Sequence, residues 1–140
     1  MLRSTLVTIL ALLAGCATTS QSEDADLMSI LSGHAPRADL SPAERAAIEK
    51  HALGSKDNPV RAEMPPGERA YLSRLRCPDG TPPTFEREGS DGLSPYGSIM
   101  DIYAVQCGSS APVTIFIDMY HPGYVEQRAV SGFTITSGGT

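Results

Sequence analysis

The chain has 140 residues, 41% hydrophobic and only 6% aromatic, with 11 basic residues against 16 acidic ones and a formal net charge of −5. An acidic surface with scattered arginines repels nucleic-acid phosphates, so nucleic acid is excluded as a partner. No glycine-rich phosphate loop or dinucleotide fingerprint precedes a helix, and no cofactor is expected.

The chain opens with the amino terminus and Arg3 as a small cationic start, then an apolar run from Leu6 to Ala14 that ends at Gly15. As a helix this run spans about 15 Å, half of a ~30 Å hydrocarbon core, so it reads as a secretory signal peptide over 1–15 rather than a membrane-spanning helix. Leu13-Ala14-Gly15-Cys16 resembles the lipobox of bacterial lipoproteins. That resemblance implies cleavage between Gly15 and Cys16, a diacylglycerol thioether on Cys16, and acylation of the new amine by a long chain such as palmitate. At about 0.8 kcal/mol per buried methylene, two or three such chains anchor a protein to a membrane without help from its surface. Ala17 stands where an aspartate favours inner-membrane retention in Gram-negative lipoproteins, so the expected location is the outer membrane, facing the periplasm.

Residues 16–38 read as lipid anchor and flexible tether, and 39–140 as a single α+β periplasmic domain. Ala17 to Asp26 is polar and small, unable to bury enough apolar surface to order itself. With the residues up to Asp39 it has a root-mean-square reach of about 25 to 30 Å. Leu27-Met28-Ser29-Ile30-Leu31 interrupts it with an apolar run suited to a helical turn or to docking on the domain.

Ser41 as N-cap, Pro42 at the first helical position and Glu44 completing a capping box predict a helix from Pro42 to Leu53, stopped by Gly54. Ala43, Ala47, Ile48 and Ala52 give it an apolar stripe for covering a sheet. Beyond it the pattern becomes extended: an edge strand over Asn58 to Met64, a strand over Tyr71 to Cys77, strands from Ile99 to Cys107 and Val113 to Tyr120 joined as a hairpin, and a last strand around Gly132 to Thr136. Arg69, Arg74 and Arg76 read as a solvated strand face. Pro78 to Ser98 reads as a long loop broken only by Thr84 to Glu88. The expected fold is an antiparallel sheet of four or five strands with one N-terminal helix packed against it.

With Cys16 carrying lipid, Cys77 and Cys107 are left as two thiols in an oxidising compartment and are expected to form one structural disulfide. There is no C-x-x-C to support a redox role. That bond would close the base of the 78–98 loop.

Chemistry, if present, concentrates at Asp118-Met119-Tyr120-His121-Pro122-Gly123-Tyr124. His121 could act as general base oriented by Asp118, with Ser98 or Ser90 as nucleophile, but no nucleophile-elbow motif accompanies them. His34, His51 and His121 lie in different elements without ligand spacing, so no metal is expected. Tyr96, Tyr120 and Tyr124 are candidates for a binding surface. The blocks Gly54 to Arg61, Arg69 to Leu72, Cys77, Cys107, Asp118 to Pro122 and Gly132-Phe133 resemble small exported bacterial domains to which no activity is attached. The reading favoured is a non-enzymatic envelope lipoprotein that binds another envelope protein or peptidoglycan. A small periplasmic hydrolase using Asp118 and His121, or an enzyme inhibitor presenting the 78–98 loop, are the alternatives.

Overall fold

The computed structural model describes residues 40–137. The expected leader over 1–15, the expected lipid-bearing Cys16, the expected tether to residue 38 and His34 lie outside the described residues. Ser41 caps the first helix, α1 (Pro42–Ile48): its hydroxyl accepts from Glu44 N at 3.3 Å, and Glu44 accepts from Ser41 N at 2.8 Å. The helix stops at Ile48 instead of Leu53. Only Ile48 is buried, while Ala43, Ala47 and Ala52 are exposed. With so little apolar surface covered, nothing extends the helix past what its cap supports.

A turn region follows, in which Gly54 N donates to Asn58 O at 2.8 Å. Gly54 has φ +85, and a β-carbon there would stand 2.6 Å from Val130 Cγ1, so glycine is required for both reasons. Strand β1 (Val60–Arg61) then runs parallel to β5 (Val113–Asp118), with Val60 opposite Ile117. Strands β3 (Thr84–Leu93) and β4 (Ile99–Gln106) complete a four-stranded sheet in the order β1-β5-β4-β3, antiparallel apart from the β1–β5 pair. The fold is α+β as expected, but the sheet is mixed rather than antiparallel. A second, two-stranded sheet pairs β2 (Leu75–Arg76) with β6 (Thr134–Ile135).

The helix that covers the sheet is not N-terminal. It is α2 (Met64–Arg74), which occupies most of the segment expected to be extended. Glu68, Tyr71, Leu72 and Leu75 follow helical spacing and are buried together. Pro65 and Pro66 sit in the first turn, where the missing N–H groups have no intrahelical partner to lose. Tyr71, Leu72 and Leu75 meet Val60, Ala62, Tyr103, Val105, Ile115, Ile117 and Val130 in one core. Arg69 and Arg74 therefore lie on a helix, not on a strand face.

The second correction concerns residues 78–98. Thr84–Leu93 is a ten-residue edge strand rather than a loop, with register shifts between Arg87 and Gly89 and between Asp91 and Leu93. Charged side chains and bulges are how an exposed edge avoids pairing with other chains, and they also hide its alternation. Cys77 and Cys107 are bonded, with 5.8 Å between their Cα atoms and a sequence separation of 30. The bond ties the exit of β2 to the exit of β4, fastening the small sheet to the large one. Among the described residues, no helix is long and apolar enough to cross a membrane.

Candidate functional site

Alternation along β5 sends Ile117 into the core and turns Asp118 to the opposite face, where it is fully buried. Above it closes the β3–β4 turn, held by Ser94 N to Ser98 O at 2.7 Å. Ser94 Oγ donates to Asp118 Oδ2 at 2.5 Å, and Ser98 Oγ lies 2.7 and 2.8 Å from the two carboxylate oxygens. Tyr120 N donates to Oδ1 at 3.1 Å. Burial alone would push this carboxyl up; the contacts from His121, Ser94 and Ser98 outweigh it and hold Asp118 below the usual carboxylate range.

His121 Nε2 lies 3.3 Å from Asp118 Oδ2 but off the line of a hydrogen bond, so this buried nitrogen has a charge neighbour without an aligned acceptor. Its ring meets Tyr96 edge-on at 5.0 Å and Tyr124 at 6.4 Å. The structure thus brings Asp118, His121, Ser98, Tyr96 and Tyr124 together. It does not arrange them as a relay: Ser94 and Ser98 point their hydroxyl protons at the carboxylate, and neither hydrogen-bonds to His121. Ser90 belongs to another cluster, donating to Asp101 beside the Arg87 guanidinium. His51 stands apart at 4.0 Å from Asp57, and among the described residues no group of histidine, cysteine and carboxylates fits a metal ion.

The tyrosines divide. Tyr96 is 2% exposed and packs inward; Tyr120 and Tyr124 are half-buried. Tyr124 accepts from Arg61 Nη2 at 2.7 Å and donates to Glu126 at 3.2 Å, while the Arg61 guanidinium lies 4.0 Å from the centre of its ring. Glu126 in turn takes the Arg128 fork at 3.0 Å on both oxygens.

Tyr124, Val125 and Glu126 form one wall of an apolar groove of about 450 Å³ whose other wall is the outer side of α2. Met64, Pro66, Gly67 and Ala70 line that side, and the small Gly67 and Ala70 leave the space. Val125 is 60% and Met64 51% exposed. Met64 has φ +53, a left-handed conformation uncommon for a residue with a side chain and costing about 1 kcal/mol, and its N donates to Met119 O at 2.7 Å. Arg61 and Arg74 also line the groove. Arg74 donates to Glu126 O at 2.6 Å and to the Gln127 side chain, and Arg61 to Tyr124; neither forms an ion pair with a carboxylate among the described residues. Glu63 and Glu126 line the groove as well, Glu63 accepting from Gly123 N at 3.1 Å and Glu126 held by Arg128, so the pattern combines apolar surface with two arginines free of ion pairs among the described residues and two carboxylates already engaged. Tyr124 is legible in the sequence but the groove is not, because its two walls, Met64 to Ala70 and Tyr124 to Glu126, are far apart along the chain.

A different buried carboxyl, Glu68 on α2, accepts from Tyr103 OH at 2.9 Å through one oxygen and leaves Oε1 without a partner. Burial drives it up to about 7, against the opposing effect of the Tyr103 bond. A folded-state value raised above the unfolded one means that Glu68 stabilises the fold fully below about pH 4.5 and loses that contribution as pH rises through 7. The Glu68→Gln variant keeps the acceptor without the charge. Urea titrations should show the two proteins alike near pH 4.5 and the variant more stable by about 3 kcal/mol at pH 8; equal stability at pH 8 would contradict a buried, uncompensated carboxylate.

Comparison with protein-family models, with curated proteins and with solved structures finds no match for this chain.

Proposed function

We propose that this protein is a non-enzymatic envelope lipoprotein, anchored through acylated Cys16 to the outer membrane on the periplasmic side, whose domain binds a segment of another envelope protein in the groove between α2 and Tyr124–Glu126. The observation that carries the reading is the pairing of an apolar floor with Arg61 and Arg74, which lack carboxylate partners among the described residues. Ligand sites of a few hundred Å³ are typically apolar with a few placed polar groups, and here, with Glu126 taken by Arg128 and Glu63 accepting from Gly123 N, the two arginines are the groups left to meet acidic residues flanking an apolar stretch. Peptidoglycan fits less well, since its hydroxyls and amides would be desolvated against apolar side chains without partners.

The hydrolase reading rests on the 3.3 Å approach of His121 to Asp118. It lacks a nucleophile, because both nearby serines are buried and donate to the carboxylate. The inhibitor reading needs a protruding loop. Residues 84–93 are paired strand, and Ser94, Tyr96 and Ser98 at the turn are buried.

A photo-crosslinking residue at Val125 in intact cells tests the proposal. The expected result is a covalent adduct with a second envelope protein, joined through an apolar stretch bordered by Asp or Glu. No adduct from this position, together with a hydrolytic activity abolished by His121→Ala, would overturn it.

A further inference from the structure

We propose that the groove has an occupant within the same chain: the segment Asp24–Leu31, which docks there until a partner displaces it. The inference rests on the reading of the groove as the binding face and adds what regulates it. Residues 17–39 are polar except for one apolar run, Leu27-Met28-Ser29-Ile30-Leu31, and that run is preceded directly by Asp24 and Asp26. An apolar run led by an acidic pair complements an apolar floor with Arg61 and Arg74 at its sides, since of the two carboxylates in the same lining Glu126 is paired with Arg128 and Glu63 accepts from Gly123 N.

Reach is sufficient. The described chain starts at Leu40 and enters α1. His51 O, three residues past the end of α1, accepts from Asn58 Nδ2 at 2.9 Å, and Asn58 leads into β1 with Arg61, so the exit of α1 is fastened near the Arg61 end of the groove. From Leu31 to Leu40 the chain spans up to about 30 Å when extended, several times the ~10 Å length of α1. A tether this short presents its segment at an effective concentration of about 1 mM. A segment with an intrinsic Kd of about 50 µM would then keep the groove roughly 95% filled and weaken an external partner's apparent affinity about twentyfold. Docking would also coincide with a shortened tether, holding the domain nearer the membrane until a partner takes the groove.

The test uses the chain from residue 16 onward with Cys16→Ser and a photo-crosslinking residue at Val125, irradiated over a hundredfold dilution. Mass spectrometry is expected to find an intramolecular crosslink within Leu27–Leu31 whose yield is independent of concentration. A synthetic peptide spanning Ser22–Gly33 should compete it away, and the paired change Leu27→Ser with Ile30→Ser should lower the yield by about fivefold or more, the loss expected when the tethered segment no longer saturates the groove. An unchanged urea midpoint for the Leu27→Ser, Ile30→Ser chain would separate loss of docking from loss of folding. A yield that rises with protein concentration, marking a second copy as occupant, would overturn the proposal, as would crosslinks only to other segments or none. Capture of an envelope protein from Val125 in cells, with no intramolecular link in the purified chain, would refute this inference and leave the binding function standing; the reverse pattern would do the opposite.

Discussion

Replacing Asp118 by alanine is expected to lower the unfolding free energy by about 3 to 5 kcal/mol at neutral pH, the range found when one partner of a buried charged network is removed. The carboxylate is fully buried and gathers Ser94, Ser98, Tyr120 N and His121 around one point. Without it, two hydroxyls and an imidazole face a cavity with no acceptor, and the β3–β4 turn loses its attachment to the end of β5. Because Asp118 is held below the usual carboxylate range, its contribution is present above the unfolded-state value near 3.8 and disappears as pH falls through the lower folded one. Wild type should therefore show a steep acid limb in its urea midpoint that the alanine variant lacks. A loss under about 1 kcal/mol would mean that water serves these groups as well as the carboxylate does.

Removing the disulfide by the double change Cys77→Ser and Cys107→Ser is expected to cost about 3.5 kcal/mol, the chain-entropy value for a loop of this size. The loop it closes contains β3, β4 and the turn above Asp118, so the unfolded chain regains the freedom of nearly a third of the domain. For a domain of this size, whose net stability is about 5 to 15 kcal/mol, that loss is a large fraction. Calorimetry should show a markedly lower midpoint with the folded-state circular dichroism unchanged. A midpoint within a degree or two of wild type would show that the small β2–β6 sheet is held by packing alone.

What could be read from the sequence were features that are local. The capping box at Ser41 and Glu44, the pairing of the only two cysteines in the domain, and the β4–β5 hairpin all depend on residues close together or on counting, and each is present. The helix α2 escaped because Met64-Pro65-Pro66-Gly67 looks like loop punctuation, and Tyr71, Ser73 and Leu75 mimic alternation over a span too short to separate the two periods. The spacing of Glu68, Tyr71, Leu72 and Leu75 was the available signal. Strand β3 escaped for the opposite reason: an edge strand needs no buried face along its length, so its residues carry charge, glycine and two bulges rather than alternating apolar groups.

The candidate sites follow the same division. Asp118 and His121 are three residues apart and were visible as a cluster, yet their chemistry is decided by Ser94 and Ser98 arriving from another strand pair. Sequence proximity left catalysis as an alternative; the third dimension adds the hydrogen bonds by which Ser94 and Ser98 fasten the β3–β4 turn to Asp118. The groove was invisible, since Gly67 and Ala70 mean nothing until Tyr124–Glu126 is laid opposite them. Signals of this kind exist only as tertiary juxtaposition.

The sharpest measurement sets Ala70→Glu beside His121→Gln in intact cells, both read by crosslinking from Val125. Ala70 is exposed on α2 and lines the groove, so glutamate there fills part of it and adds a negative charge that repels an acidic segment, without disturbing the core. Capture of the envelope partner should fall by about tenfold or more in Ala70→Glu, the loss given by roughly 1.4 kcal/mol of weakened binding, and stay near wild type in His121→Gln. Capture that survives Ala70→Glu and vanishes with His121→Gln would place the working surface at the Asp118 cluster instead.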